Sequence, residues 1–167
     1  LSDLYPSTWR FCVDSLVGAS PEMLIAASGG TATSRVLAGT CKPGEGEMLA
    51  SSAKDLREHD LASKSVSSVL TRLCTSVTAQ GPFLLSLPNV VHLATDVHAR
   101  LGEAHLLDLV TALHPTAAVC GTPRDAAMRL IEELEDTERG RYSGPVGWVD
   151  TAGDGGVAIA RRWGGKA

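Results

Sequence analysis

Residues Leu113–Asp150 read LHPTAAVCGTPRDAAMRLIEELEDTERGRYSGPVGWVD, and they hold the clearest structural signals in this chain of 167 residues. Within them, Thr122-Pro123 predicts the start of a helix, because a hydroxyl side chain can cap free N–H groups and proline fits the first helical position. We expect this helix to end near Glu138, with Gly140 beyond it. A glycine-rich strand follows, and residues 142–149 and 157–162 predict a hairpin around DTAGDGG.

Upstream of this stretch, the first forty residues indicate short strands. Apolar runs bounded by turn residues occur at 11–20, 23–28 and 33–40 (FCVDSLVGAS, MLIAAS and TSRVLAGT). Gly29-Gly30 lies between the second and third runs and predicts a hairpin turn. The loop CKPGEGE, residues 41–47, then separates the strands from a segment of helical character.

Apolar residues recur at spacings of three and four from Met48 to about Val77, which predicts a helix that ends before Gly81-Pro82. Residues 82–101 return to β character, and a short helix is expected from Glu103 to Leu113. The order of elements is mixed rather than strictly alternating. It therefore favours an α+β fold with a mostly antiparallel sheet flanked by helices.

Composition narrows the class of protein. The hydrophobic fraction of 44% and the charged fraction of 20% are typical of a globular domain that is soluble. A net charge of −4 and an aromatic fraction of 4% argue against a nucleic-acid partner, which needs a basic face and stacking surfaces. An anionic small substrate needs only one local positive site.

The sequence also predicts where in the cell the protein is located. Its apolar runs stay well short of the roughly 20 residues that span a bilayer, so we expect no membrane partner. The four cysteines are widely scattered without a CxxC pair, which predicts reduced thiols in a cytoplasmic protein. The opening LSDLYPSTWR lacks the layout of a signal peptide.

Two motifs carry carboxylates that could act chemically. Ser20-Pro21-Glu22 sits between two predicted strands, where a fixed carboxylate could serve as a general acid; taken alone, such a tripeptide is usually a surface turn. Asp55 and Glu58 are three apart on a predicted helix and project from one face, which suits Mg²⁺. The neighbouring Lys54 and Arg57 equally fit an ordinary solvated face.

The remaining candidates are histidines and a loop. His92 and His98 lie on one face of an extended segment, while His59 lacks the spacing of a zinc-protease motif. Gly121-Thr122-Pro123 would open a helix with free N–H groups, a general anion-binding arrangement. On the residues alone, each of these also has an ordinary structural interpretation.

Together these phrases resemble the chorismate-utilising enzymes, and within them the isochorismate synthases. The Ser-Pro-Glu phrase followed by Leu37-Ala38-Gly39-Thr40 is similar to the paired phrase of that family. Leu113-His114-Pro115-Thr116 differs from the Phe-Pro-rich phrase usual in anthranilate and aminodeoxychorismate synthases. The resemblance implies the anthranilate synthase component I-like fold.

The resemblance also implies roles for individual residues. Glu22 would be the general acid that protonates the departing hydroxyl of chorismate. Asp55 and Glu58 would help to bind the Mg²⁺ that grips the substrate carboxylate. The positions matching the substrate pocket, including an arginine suited to a carboxylate, are Gly39, Thr40, His92, Gly121, Tyr142 and Arg162.

The reaction implied is the Mg²⁺-dependent conversion of chorismate to isochorismate, with water added at C2 and loss of the C4 hydroxyl. The partner is thus a small molecule, and the product would feed menaquinone or salicylate-based siderophore synthesis. Two alternatives stay open: a salicylate synthase, which also eliminates pyruvate, and a non-catalytic remnant of the chorismate-binding fold. The oligomeric state stays open too.

The resemblance runs from about Phe11 to Arg162, whereas family members extend further on both sides. We therefore expect residues 1–167 to form a single, incomplete chorismate-binding domain. It lacks the family's upstream lysine base, a downstream glycine-rich turn and a second acidic helix. Gly155-Gly156-Val157 also replaces a glutamate and an aromatic residue of the family pattern. For these reasons we expect this chain alone to turn over chorismate poorly or not at all.

Overall fold

Two antiparallel sheets organise the chain, whose computed structural model describes residues 8–14 and 16–160 and the backbone of 163–164. A three-stranded sheet has the order β1-β2-β9, and a six-stranded sheet has the order β5-β6-β4-β3-β8-β7. The strands are β1 Trp9–Val13, β2 Leu16–Ser20, β3 Met23–Ser28, β4 Thr31–Cys41, β5 Ser76–Ser86, β6 Val91–Arg100, β7 Pro145–Val149, β8 Gly155–Ile159 and β9 Trp163–Gly164.

Four helices accompany the sheets in the described residues: α1 Gly46–Ser51, α2 Ala53–Leu73, α3 Leu106–Leu113 and α4 Arg124–Leu134. Helix α2 packs on β4, β5 and β6, and α3 packs on β3. Helix α4 has no buried residue. The predicted α+β class with an antiparallel sheet and flanking helices is confirmed.

The core lies between α2, α3 and one face of the larger sheet. Strand alternation explains it, because every second residue of β6 from Val91 to Ala99 is buried, as are Ala32, Ser34 and Val36 of β4. The other face carries polar cross-strand pairs. One of them is the ion pair of Arg35 with Asp96, at 2.6 Å between Nε and Oδ1.

The β3–β4 hairpin agrees with its prediction. Gly29 and Gly30 both adopt positive φ, at 55° and 74°, which a tight two-residue hairpin turn requires and glycine adopts without strain. The predicted hairpin at the C-terminal side is also present, as β7 pairs with β8 from Pro145↔Ile159 to Val149↔Gly155. Its predicted end at Arg162 lies outside the described residues.

The prediction of one helix from Met48 to Val77 was wrong in two respects: the segment forms two helices, and the second ends before Val77. Ser52 is extended and its hydroxyl accepts a hydrogen bond from Asp55 N at 3.3 Å, so it begins α2 as a cap rather than continuing α1. Helix α2 ends at Leu73, and Val77 lies in β5 opposite Ala99. Val77 satisfies a helical spacing and a strand position equally well, and pairing with β6 decides between them.

Two proline positions also differ from expectation. Gly81-Pro82 does not follow a helix but lies within β5, at a bulge in its pairing with β6; β5 is an edge strand, where a missing N–H is tolerated. Pro123, not Thr122, is the N-cap of α4, and no side chain caps that helix. Helix α4 ends at Leu134, short of Glu138.

Among the described residues, no helix has the length and apolar character needed to cross a bilayer. The four cysteines are free thiols in the structure.

Packing of α2 on the sheet sets the stability of the fold. Leu70 is fully buried, whereas Leu61 on the same helix is 61% exposed. We expect Leu70→Ala to lower the free energy of unfolding by about 2–5 kcal/mol, since it removes buried methyl groups and leaves a cavity. Leu61→Ala is the matched control and should change it by no more than about 0.5 kcal/mol. Urea unfolding of both variants makes the comparison, and equal losses would contradict this packing.

Candidate active site

Thr40 and His92 form the centre of the candidate site. They face each other in the β4–β6 pairing, and Thr40 Oγ1 lies 2.8 Å from His92 Nδ1. Both were predicted from the sequence, and the sheet register brings them into direct hydrogen-bond contact. The pair is exposed, so it is open to a polar ligand.

Gly39, also predicted, shapes the backbone beside this pair. The β4–β6 register shifts between Leu37 and Thr40, and Gly39 adopts a φ of +88° there. A Cβ on Gly39 would also lie 3.2 Å from a methyl carbon of Leu93. Glycine is therefore needed both for the conformation of this bulge and for the close packing beneath it.

Asp55 and Glu58 begin helix α2 near the end of β4. The Ser52 hydroxyl donates a hydrogen bond to Asp55 Oδ2, which completes the cap of the helix. Glu58 is exposed, and its Oε1 lies 3.4 Å from Lys54 Nζ. Burial raises the pKa of the Cys41 thiol, and the charges of Glu45 and then Asp55 raise it further. The Asp55 carboxylate is therefore close enough to Cys41, the residue after Thr40, to raise the pKa of its thiol.

Glu22 lies in the connection between β2 and β3, just before an interior strand of the larger sheet. Its N–H donates to Ser20 Oγ at 3.1 Å, and its carbonyl accepts from Ile159 N at 3.0 Å, so the backbone is held from both sides. Glu22 lines a cavity of about 30 Å³, which is room for one water molecule. Leu37 and Thr116 line the cavity too, and the Thr116 hydroxyl is buried without a partner in the structure.

Arg139, which the sequence prediction missed, links Tyr142 to Val119, two residues before Gly121. Arg139 Nη1 donates to the carbonyl of Val119 at 3.3 Å, and Tyr142 N donates to the Arg139 carbonyl at 2.7 Å. Arg139 Nε also donates to Glu135 Oε2 at 2.7 Å. No local sequence pattern indicates the contact of Arg139 with Val119, because the two residues lie 20 positions apart in the chain.

The predicted residues thus fall into two groups along the larger sheet. Gly39, Thr40 and His92 lie near the start of α2, while Glu22 shares its cavity with Thr116, in the loop before Gly121. Leu37 connects the two, because it lines the cavity and directly precedes the β4 bulge. Arg162 lies outside the described residues. In the described part of the chain, no group of three His, Cys, Asp or Glu side chains could hold a metal.

The structures most useful for comparison share this fold. The menaquinone-specific isochorismate synthase MenF from Escherichia coli superposes with a TM-score of 0.80 at 28% identity, over 87% of this chain and 36% of that one. Anthranilate synthase component I from Streptococcus pneumoniae TIGR4 superposes with a TM-score of 0.83 at 31% identity, over 95% of this chain and 38% of that one. The class is therefore that of the chorismate-utilising enzymes.

Sequence comparison identifies the family directly. The model of the chorismate binding enzyme family matches residues 2–164, so the chain belongs to that family. It is 38% identical over 160 residues to isochorismate synthase MenF of Bacillus subtilis strain 168, covering 90% of this chain and 34% of that protein. It is 36% identical over 151 residues to the vibriobactin-specific isochorismate synthase of Vibrio cholerae serotype O1, covering 84% of this chain and 38% of that protein. The chain thus spans little more than a third of each relative.

The segment that leads into Thr116 and Gly121 begins with a half-buried histidine, His114, whose pKa is shifted. Burial lowers the pKa of the His114 ring, and the charge of Arg124 lowers it further. The ring's Nδ1 is buried and has no hydrogen-bond partner in the structure. Both facts disfavour the protonated ring in the folded chain.

We therefore expect the free energy of unfolding to fall as the pH drops below about 6.5, the ordinary histidine value. The unfolded chain then binds a proton that folded His114 does not, and the loss continues until the pH passes below the folded pKa. His114→Gln should remove this part of the pH dependence. Urea unfolding across the range, with both proteins, measures it. An NMR titration that places the His114 pKa at or above its ordinary value would contradict the prediction.

Proposed function

We propose that this chain carries out, or forms part of an enzyme that carries out, the conversion of chorismate to isochorismate. The observation that carries the proposal is the Thr40–His92 contact beside the Gly39 bulge. It occurs in a chain whose sequence relatives include proteins named isochorismate synthase. We propose a cytoplasmic location, in keeping with its free thiols.

In this proposal, the chain's own residues bind and orient the substrate and move one proton. Thr40 and His92 offer a donor and acceptor pair to the polar groups of chorismate, and the Gly39 bulge lets the substrate approach the backbone. Glu22 gives its carboxyl proton to the C4 hydroxyl as that group leaves as water, while a second water adds at C2 and gives up a proton to a base that the proposal assigns to no residue of this chain. The hydrogen bonds of its backbone to Ser20 and Ile159 support this role, because they hold the acid in a fixed place.

Magnesium is part of the proposal, and the donor chemistry fits it. Asp55 and Glu58 present carboxylate oxygens, which Mg²⁺ prefers, and the ion keeps several waters when few protein ligands are present. When bound, Mg²⁺ would neutralise the carboxylate of the substrate. Asp55 is already oriented by its hydrogen bond from Ser52, while Glu58 would exchange its contact with Lys54 for the metal.

The shared fold does not determine which nucleophile attacks chorismate, and therefore does not determine the product. Anthranilate synthase component I superposes as well as an isochorismate synthase does, so product identity must come from experiment. Chromatography of chorismate incubated with this chain and Mg²⁺ separates the products. Isochorismate supports the proposal, whereas salicylate with pyruvate would assign the chain to the salicylate synthases. Chorismate binding by calorimetry without any product would show that this chain by itself binds chorismate without converting it, and absence of binding would overturn both the catalytic and the binding role of this chain.

We expect Glu22→Gln to lower the rate of isochorismate formation by about 10²-fold or more, because glutamine cannot donate the proton. The melting temperature should stay close to that of the parent chain, since the backbone contacts of Glu22 remain. The control is Glu103→Gln, an exposed residue in the turn before α3, which should leave the rate unchanged. Normal turnover by the Glu22 variant would remove the general acid from the proposal.

We expect Glu58→Gln to weaken the Mg²⁺ dependence of chorismate binding by roughly tenfold or more. Asp60→Asn is a closely matched control, because Asp60 pairs with Lys64 just as Glu58 pairs with Lys54, and both carboxylates are 55% exposed. Calorimetric titrations of chorismate at several Mg²⁺ concentrations measure the effect. Equal behaviour of the two variants would exclude Glu58 as a metal ligand.

A further inference from the structure

His59 is a buried polar residue whose role the sequence left unassigned. It is 2% exposed, and both ring nitrogens have partners: Nδ1 lies 3.0 Å from the Ala38 carbonyl and Nε2 lies 2.7 Å from Thr95 Oγ1. A carbonyl only accepts, so Nδ1 carries the hydrogen and donates it. Nε2 of the neutral ring then accepts from the Thr95 hydroxyl. The ring is thereby fixed in one orientation and one tautomer.

The Ala38 contact lies inside the β4 bulge. Leu37 pairs with Ala94 and Thr40 pairs with His92, so Ala38 and Gly39 together oppose a single residue of β6. Bulges interrupt the regular ladder and re-aim the residues that follow them. His59 therefore anchors, from α2, the backbone that leads into Gly39 and Thr40.

The Thr95 contact lies at a second bulge, on the other side of β6. The β5–β6 register shifts between Gln80 and Phe83, so Gly81-Pro82 opposes Thr95. A Cβ on Gly81 would lie 2.6 Å from Thr95 Oγ1, so the glycine leaves room for this hydroxyl. The His59 imidazole thus connects Ala38, in the β4 bulge, with Thr95, the β6 residue that faces the β5 bulge.

An apolar side chain would suit this place better if only packing mattered. The other buried residues of α2 are Ala62, Val66 and Leu70, and a histidine in the same row costs free energy unless its polar atoms are bonded. One of its two hydrogen bonds goes to the Ala38 carbonyl, in the backbone just before the predicted substrate residues Gly39 and Thr40, and its neighbour in sequence is Glu58. The contact therefore links the start of α2 to the Thr40–His92 pair.

We propose that His59 is a positioning residue of the chorismate site, which holds the Gly39–Thr40 backbone in register with the carboxylates at the start of α2. This inference rests on the proposed function, since it concerns the same site. It assigns His59 no contact with substrate. Its effect on binding passes through the Ala38 carbonyl.

Three variants test the proposal. His59→Leu removes both hydrogen bonds, whereas His59→Asn keeps an amide N–H near the position of Nδ1 and can still donate to Ala38. Leu70→Val creates a defect on the same helix face, about three turns from His59, at a residue that does not line the Glu22 cavity. We expect chorismate affinity to fall roughly tenfold or more in His59→Leu, as for a lost buried hydrogen bond. It should stay within about threefold of the parent in the other two.

The amide NMR signals of Gly39 and Thr40, recorded without ligand, give a readout independent of chorismate. We expect them to move in His59→Leu and to remain near their parent positions in Leu70→Val. Unchanged affinity and unchanged signals in His59→Leu would overturn the proposal, as would an equal loss in Leu70→Val or no recovery in His59→Asn. If His59→Leu does not fold, Thr95→Val replaces it, with a smaller shift of the same signals expected and an unmoved spectrum counting against the proposal.

The two proposals can fail separately. If the parent chain binds no chorismate, the proposed function fails, and the Gly39 and Thr40 signals still decide whether His59 positions this backbone. If the parent binds chorismate but His59→Leu binds it equally well, the positioning role fails and the proposed function stands.

Discussion

The packing of α2 across β4 and β6 is the contact on which the rest of this structure depends. Ala62, Val66 and Leu70 bury against the inward-facing residues of the two strands, and this burial is the main stabilising contribution. At the end of the same row stands His59, whose hydrogen bonds replace apolar contact. Burial thus holds the helix on the sheet, and the His59 hydrogen bonds fix its position along β4 and β6. Its first turn lies beside the end of β4 that carries Thr40.

The candidate site is built from interruptions of regular structure rather than from its regular parts. Gly39 lies in the β4 bulge, Gly81 lies in the β5 bulge, and Glu22 lies in the short connection between β2 and β3. Bulges turn side chains out of a ladder while the strands on either side stay rigid. Such positions hold polar groups more firmly than a free loop would, as catalytic geometry requires.

Membership of the chorismate binding enzyme family explains why these interruptions occur together. One antiparallel framework superposes on an isochorismate synthase and on an anthranilate synthase component. The framework is therefore common to both proteins, and fold alone does not fix the reaction. The Leu113–Thr116 segment differs locally from the phrase expected for anthranilate synthases, and Thr116 lies in the wall of the cavity that Glu22 also lines.

The sequence alone determined β3, β4, the β3–β4 and β7–β8 hairpins and the motifs, since turn glycines and alternating apolar residues act locally. The single predicted run at 11–20 proved to be two strands, β1 and β2. The family resemblance carried by those motifs is confirmed, while the roles of Glu22, Asp55 and Glu58 stay predictions. Tertiary structure decided the secondary structure of residues whose local sequence pattern fits both a helix and a strand. Val77 joined β5 because a strand partner was available, and Thr122 does not cap α4. His59 and Arg139 became visible only in space, because their partners Ala38, Thr95 and Val119 lie at least twenty residues away in sequence.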